Sequence, residues 1–184
     1  MTGSPDGDYI ALGVTIGYEF NVGGWDITPS VTGSYRDVDI DGYSESDQGG
    51  GGLALRYDDQ KIKSKRSIVG IAFSRPISQS FGVLVPTLRG EWHHEFDDDV
   101  RAVRAKYVLE DSLATGASSP GNFACAISCF TMLTDQADAD YAVGSLGVSA
   151  TFPRRLQVYL VYEALLGAAN VNGNSIAAGL RGQF

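Results

Sequence analysis

Residues Asn174–Phe184 read NSIAAGLRGQF, and by parity they separate into two faces. Ile176, Ala178, Leu180, Gly182 and Phe184 fall on one side; Ser175, Ala177, Gly179, Arg181 and Gln183 fall on the other. A strand turns successive side chains to opposite faces, so this is a ribbon with one oily and one polar surface. It stops on an aromatic ring. A soluble sheet alternates in the same way. What raises the pattern is its repetition along the chain, with aromatics near the ends of the oily face, as in a transmembrane β-barrel.

Working outward, Tyr9–Phe20 sets Ile10, Leu12, Val14, Ile16, Tyr18 and Phe20 against Ala11, Gly13, Thr15, Gly17 and Glu19. That length spans a bilayer as a tilted strand. Asn21–Gly24 is a short turn, and Trp25–Arg36 alternates again, with Trp25, Ile27, Val31 and Tyr35 on the oily side. Pro29 lies in that register, and a proline is tolerable there only near a strand start or a bulge. An acidic loop, Asp37–Gln48, runs into Gly49–Gly52. Leu53, Leu55 and Tyr57, then Val69, Ile71 and Phe73, keep one phase across a charged middle, Asp58–Lys65. Either one long projecting strand or a hairpin near Asp58–Lys61 accounts for it.

Pro76–Ser80 is a second short turn. Phe81–Phe96 turns Leu84, Leu88, Trp92 and Phe96 outward and Thr87, Arg89, Glu91, His93 and Glu95 inward, with Pro86 in the place Pro29 holds earlier. Asp97–Asp140 is the longest insertion, alternating weakly over Val100–Val108. Ala142–Phe152 resumes the oily face, Pro153–Arg155 turns, Leu156–Leu166 rises, and the last strand follows Gly167–Gly173. Short turns thus alternate with long loops, the asymmetry of outer-membrane barrels. The expected fold is all-β, an antiparallel up-and-down transmembrane β-barrel sequence over residues 1–184.

Composition bounds what such a chain does. The 184 residues suit one domain, and their mean hydropathy of −0.05 decides nothing, because a polar lumen dilutes the signal of every strand. No apolar run reaches the roughly 18 residues of a membrane-spanning helix. A net charge of −8 argues against nucleic acid as a partner, since phosphate binding needs clustered Lys and Arg. MTGSPDGDY carries no basic segment followed by an apolar core, so the sequence reads as a mature form or a fragment.

Arg89, Glu91, His93 and Glu95 share the inward face and form a structural polar network there. A hydrolase reading of the His–Glu pair lacks a serine marked out as nucleophile, so no catalytic residue is assigned. His94, on the other face, belongs at the interface beside Trp92. Glu163 and Arg181 lie on the inward face of the final two strands and could pair across the ladder. Cys125 and Cys129, four apart with no His nearby, read as a loop disulfide rather than a zinc site, with two free thiols as the alternative. The acidic loops read as solvated, with cation bridging to lipopolysaccharide as the alternative. No metal or cofactor is called for. Tyr9, Tyr18, Trp25, Tyr35, Trp92, Phe96, Phe152 and Phe184 are girdle candidates.

As a set, GLRGQF (Gly179–Phe184), GGWDITPSVTGSYRDVDIDGYSE (Gly23–Glu45), LALRYDDQKIKS (Leu53–Ser64), VLVPTLRGEWHHEFDDD (Val83–Asp99) and DADYAVGSLGVSATF (Asp138–Phe152) resemble the autotransporter translocator domain of type V secretion. The resemblance implies a barrel in the bacterial outer membrane, in contact with its lipid and lipopolysaccharide. It also implies insertion by the barrel-assembly machinery, with a passenger domain upstream that is carried to the cell surface. Gly179, Leu180, Arg181 and Phe184 resemble that family's targeting signal. Family barrels have about twelve strands, and about seven or eight are counted here, so the resemblance implies the C-terminal part of such a barrel. The rival readings are a small closed eight-stranded structural or adhesion barrel and, behind it, a membrane hydrolase.

Overall fold

The computed structural model describes residues 2–47, 49, 51–109, 129–136, 138–153, 156–169 and 171–182. Its strands are β1 (Gly7–Gly17), β2 (Phe20–Val22), β3 (Trp25–Ile40), β4 (Leu55–Tyr57), β5 (Gln60–Ser74), β6 (Ile77–Gln79), β7 (Gly82–Glu95), β8 (Ala102–Tyr107), β9 (Phe130–Leu133), β10 (Asp140–Phe152), β11 (Leu156–Leu166) and β12 (Asn174–Gly182). The main sheet is a meander in the order β1-β3-β5-β7-β10-β11-β12, with β2 on β3 and β6 on β7. Seven strands make the path, and β1 and β12 are its edges.

The chain forms two compact units. One comprises Gly13–Ser34, Lys65–Asp97 and Asp138–Phe184. Here two turns are tighter than the expected Asn21–Gly24 and Pro76–Ser80, because Phe20–Val22 and Ile77–Gln79 pair as the short strands β2 and β6. Val22 pairs with Trp25 around Gly23 and Gly24, whose φ of 60° and 79° give the left-handed pair that a two-residue hairpin requires. Gln79 pairs with Gly82 around Ser80 and Phe81. Phe152 pairs with Leu156. The outward rows are apolar across strands: Phe73 faces Leu88, Leu88 faces Leu146, and Leu146 faces Tyr162.

The first predicted strand, Tyr9–Phe20, is interrupted at Tyr18–Glu19, although the Tyr18 N–H still donates to the Pro29 carbonyl at 3.2 Å. A matching break follows Ser74, where the Arg75 N–H donates to the Pro86 carbonyl at 3.3 Å. Proline offers the neighbouring strand an acceptor and no donor. Both prolines therefore sit opposite breaks in the adjacent strand.

The other unit comprises Met1–Leu12, Tyr35–Ser64 and Asp98–Ala137. It holds a second sheet in the order β4-β8-β9, with Leu55 opposite Tyr107 and Ala102 opposite Leu133. This corrects both expectations for Asp58–Lys61. The strand is not continuous there, and it is not a hairpin, because β4 pairs with β8 instead of β5. The Tyr57 N–H donates to Tyr43 O at 2.8 Å, the two rings stack at 4.9 Å, and the Asp58 N–H donates to Arg104 O at 3.1 Å. Local phase carried no sign of that detour. In the acidic loop the Gly49 N–H donates to Asp47 Oδ1 at 2.9 Å and holds that carboxyl below its usual range.

Burial is inverted relative to a water-soluble domain. Among the described residues the buried apolar side chains are Ala54, Ala105 and Ala150, none larger than a methyl. Leu12, Ile16, Ile176 and Leu180 are 66, 74, 74 and 71% exposed, while His93 and Glu95 are only 8 and 7% exposed. Water would penalise that distribution by tens of cal/mol for each Å² of apolar surface, about 25 by transfer data.

Candidate functional site

Strand β7 carries the charged residues singled out above, and its alternation sets Arg89, Glu91, His93 and Glu95 on one face. The structure joins the first three directly. Arg89 Nη2 forms a short ion pair with Glu91 Oε1, and Glu91 Oε2 lies 3.3 Å from His93 Nε2. Gly70 is directly opposite Glu91, and a Cβ there would press on the glutamate side chain and on Ser30 Oγ. The missing side chain on β5 is what lets Glu91 lie across it.

Two residues that the sequence reading passed over complete the network. Tyr141 on β10 is paired with His93, and their rings stack with centroids 4.7 Å apart. Arg66 on β5 is paired with Glu95 and approaches it at 3.4 Å, with its guanidinium 5.8 Å from the Tyr141 ring centroid. Glu95 also accepts the Lys65 N–H at 2.8 Å and the Asp97 N–H at 3.4 Å. Carboxylate, imidazole, phenol ring and guanidinium thus run side by side across β5, β7 and β10. Parity could have found Tyr141, which alternates with the oily Ala142; Arg66 was hidden at the edge of a charged run.

Three carboxylate or imidazole groups held by arginines and amide donors form a fixed polar lining. Such a lining has the parts to hold charge in place. His94, on the opposite face, sits edge-on to Phe96 at 4.5 Å and 5.8 Å from Trp92, with Nδ1 2.9 Å from Asp140 Oδ1.

Glu163 and Arg181 do not come together. Glu163 is opposite Ser175, whereas Arg181 is opposite Gln157, six residues further along β12. At about 3.4 Å per residue that separates them by roughly 20 Å. Adjacent strands were identified correctly; the register decided against the pair. Of the terminal signal residues, Gly179, Leu180 and Arg181 lie in β12, with Leu180 exposed and Gly179 opposite Tyr159. Phe184 and Cys125 lie outside the described residues, so the terminal ring and the pairing of Cys125 with Cys129 carry forward as proposals.

An antiparallel meander whose apolar side chains stay exposed and whose opposite face carries a charged network defines a class, the outer-membrane β-barrel. The Autotransporter beta-domain model matches residues 1–163, and the chain belongs to that family. Domains of this family form the translocator barrel of type V secretion and reside in the bacterial outer membrane. The chain is also 30% identical over 99 residues to an "Uncharacterized protein in trpE-trpG intergenic region" of Pseudomonas putida, covering 53% of this chain and 16% of the relative. It is 38% identical over 72 residues to "Esterase EstA" of Pseudomonas aeruginosa and of Pseudomonas putida, covering 38% of this chain and 11% of each relative. It therefore matches only a small part of the length of these relatives.

Proposed function

We propose that residues 1–184 form one outer-membrane domain, the C-terminal part of a translocator barrel that anchors an N-terminal passenger and carries it to the cell surface. The observation that carries this reading is the inverted burial: exposed Leu12, Ile16, Ile176 and Leu180 against buried His93 and Glu95. Lipid receives the first set at no cost, and a lumen receives the second as a wet, charged lining. The partners are outer-membrane lipid and lipopolysaccharide, the barrel-assembly machinery, and the passenger upstream. Gly179, Leu180, Arg181 and Phe184 serve as the address read during assembly, and Cys125–Cys129 as a loop disulfide in an oxidising compartment. The Arg89–Glu91–His93–Glu95 set is structural, and any chemistry of the intact protein belongs to its passenger.

The test is surface display. In intact cells producing the full-length protein, externally added protease should remove the passenger and leave this domain in the outer-membrane fraction. Deleting residues 1–184 should leave the upstream part protected from that protease. An upstream part that reaches the surface equally well without this domain would overturn the translocator role. A domain that anchors in the membrane but carries nothing out would favour the small structural barrel instead.

A further inference from the structure

The oily face is not uniformly filled. A groove of about 640 Å³ opens on it, walled by Trp25, Ile27, Phe73, Leu88 and Leu146 and crossed by Pro86. Its origin lies in the ladder. Phe73, Leu88 and Leu146 stand in one row across β5, β7 and β10. In the neighbouring row the central position is Pro86, whose compact ring leaves a trough beside the leucines. The volume falls within the roughly 300–1,000 Å³ of small-molecule sites.

Charge appears at the rim. Arg75, just past the end of β5, places its guanidinium 5.5 Å from the Trp25 ring centroid, and its backbone N–H is tied to Pro86 O. Among the described residues no carboxylate pairs with it. A cation–π contact with the indole holds the guanidinium at the rim, where its N–H donors suit a phosphate. The rim lies near the tight Gly23–Gly24 turn, at the short-turn end of the strands, where the polar headgroups of one leaflet would lie.

We propose that this groove holds one phospholipid, an acyl chain lying along the Trp25–Leu146 trough and the headgroup phosphate on Arg75. The proposal rests on the outer-membrane reading above. It goes beyond that reading by distinguishing one retained lipid from the freely exchanging lipid around any barrel. Among the described residues, an apolar trough with the unpaired Arg75 at one end selects an amphiphile with an anionic head.

The intact protein, extracted from outer membranes in mild detergent and delipidated, would be titrated with dioleoyl phosphatidylglycerol and followed by native mass spectrometry. A one-to-one adduct should form with the parent and with Arg75→Lys. In Arg75→Gln its affinity should fall about tenfold or more, the loss expected when one charge-assisted hydrogen-bonded pair is removed. Equal binding by Arg75→Gln, or a parent that shows only a ladder of non-saturating adducts, would overturn the retained lipid. Oleic acid binding as tightly as the phospholipid would overturn the phosphate assignment. Fractionation of the same preparations separates the two readings: Arg75→Gln found in the outer membrane leaves the barrel standing whatever the lipid result, and a parent absent from that fraction removes both.

Discussion

Gly179 and Tyr159 face each other across β11 and β12, and a Cβ on the glycine would run into the tyrosine ring. One residue of the terminal stretch therefore has a packing reason to be what it is, apart from any address it carries. Phe184 has a different standing. Its ring adds at most about 1.5–3 kcal/mol of burial, too little to undo a sheet held by its backbone ladder in lipid. If burial were its whole role, Phe184→Ala would refold in detergent and insert in cells with the same small loss. The expected outcome is that the two assays part. Refolding of purified protein stays near the parent, while insertion of the full-length protein in cells falls sharply and leaves periplasmic material for proteases. Equal small losses in both would show the ring to be a girdle aromatic alone.

At the scale of the element, the same device appears twice: Pro29 in β3 and Pro86 in β7 each sit opposite a break in the adjoining strand. The hairpin β6–β7 depends on Gly82, whose φ of +143° is open to glycine alone and whose Cβ would collide with Thr151 O. Gly82→Ala is expected to cost about 1–3 kcal/mol in urea unfolding of the reconstituted intact protein. No loss would mean that the hairpin adopts another turn. On β11, Val158 and Leu160 face Leu180 and Ala178 on the oily side. Arg at either position should cost about 2–4 kcal/mol if it lies at the bilayer midplane. A neutral result would count against lipid contact on this face.

For the whole molecule the argument is parity. Among the described residues, seven strands in an antiparallel meander leave β1 and β12 running the same way, so those edges cannot close on each other with an antiparallel ladder. Unpaired edge groups in lipid cost several kcal/mol each, which makes an open sheet untenable in a bilayer. Residues 1–184 produced alone should therefore stay protease-sensitive and show no shift in gel mobility on heating. On the reading proposed above, further strands in the intact protein complete the barrel, and it should show both resistance and the shift. A heat-modifiable barrel formed by residues 1–184 alone would defeat the parity argument and favour the small closed barrel.

What the amino-acid sequence determined by itself was whatever depends on nearest neighbours along the chain. Period-two alternation in Tyr9–Phe20, Trp25–Arg36 and Phe81–Phe96 marked strands and their oily faces, because side-chain direction in a strand is a local property. Short turns were legible within Asn21–Gly24 and Pro76–Ser80, though not that Ile77–Gln79 would pair as a strand, and the inward set of Arg89, Glu91 and His93 followed from counting in twos. What only the tertiary structure decided was which residue stands opposite which. Glu163 and Arg181 share a face on neighbouring strands, yet the β11–β12 register holds them six residues apart. Arg66 and Tyr141 join the β7 network only because β5 and β10 flank it in that register. The pairing of β4 with β8, which removed both expectations for Asp58–Lys61, likewise has no local signature. Register is a property of two strands at once, set by their turns and by the ladder between them, and no single stretch of chain contains it.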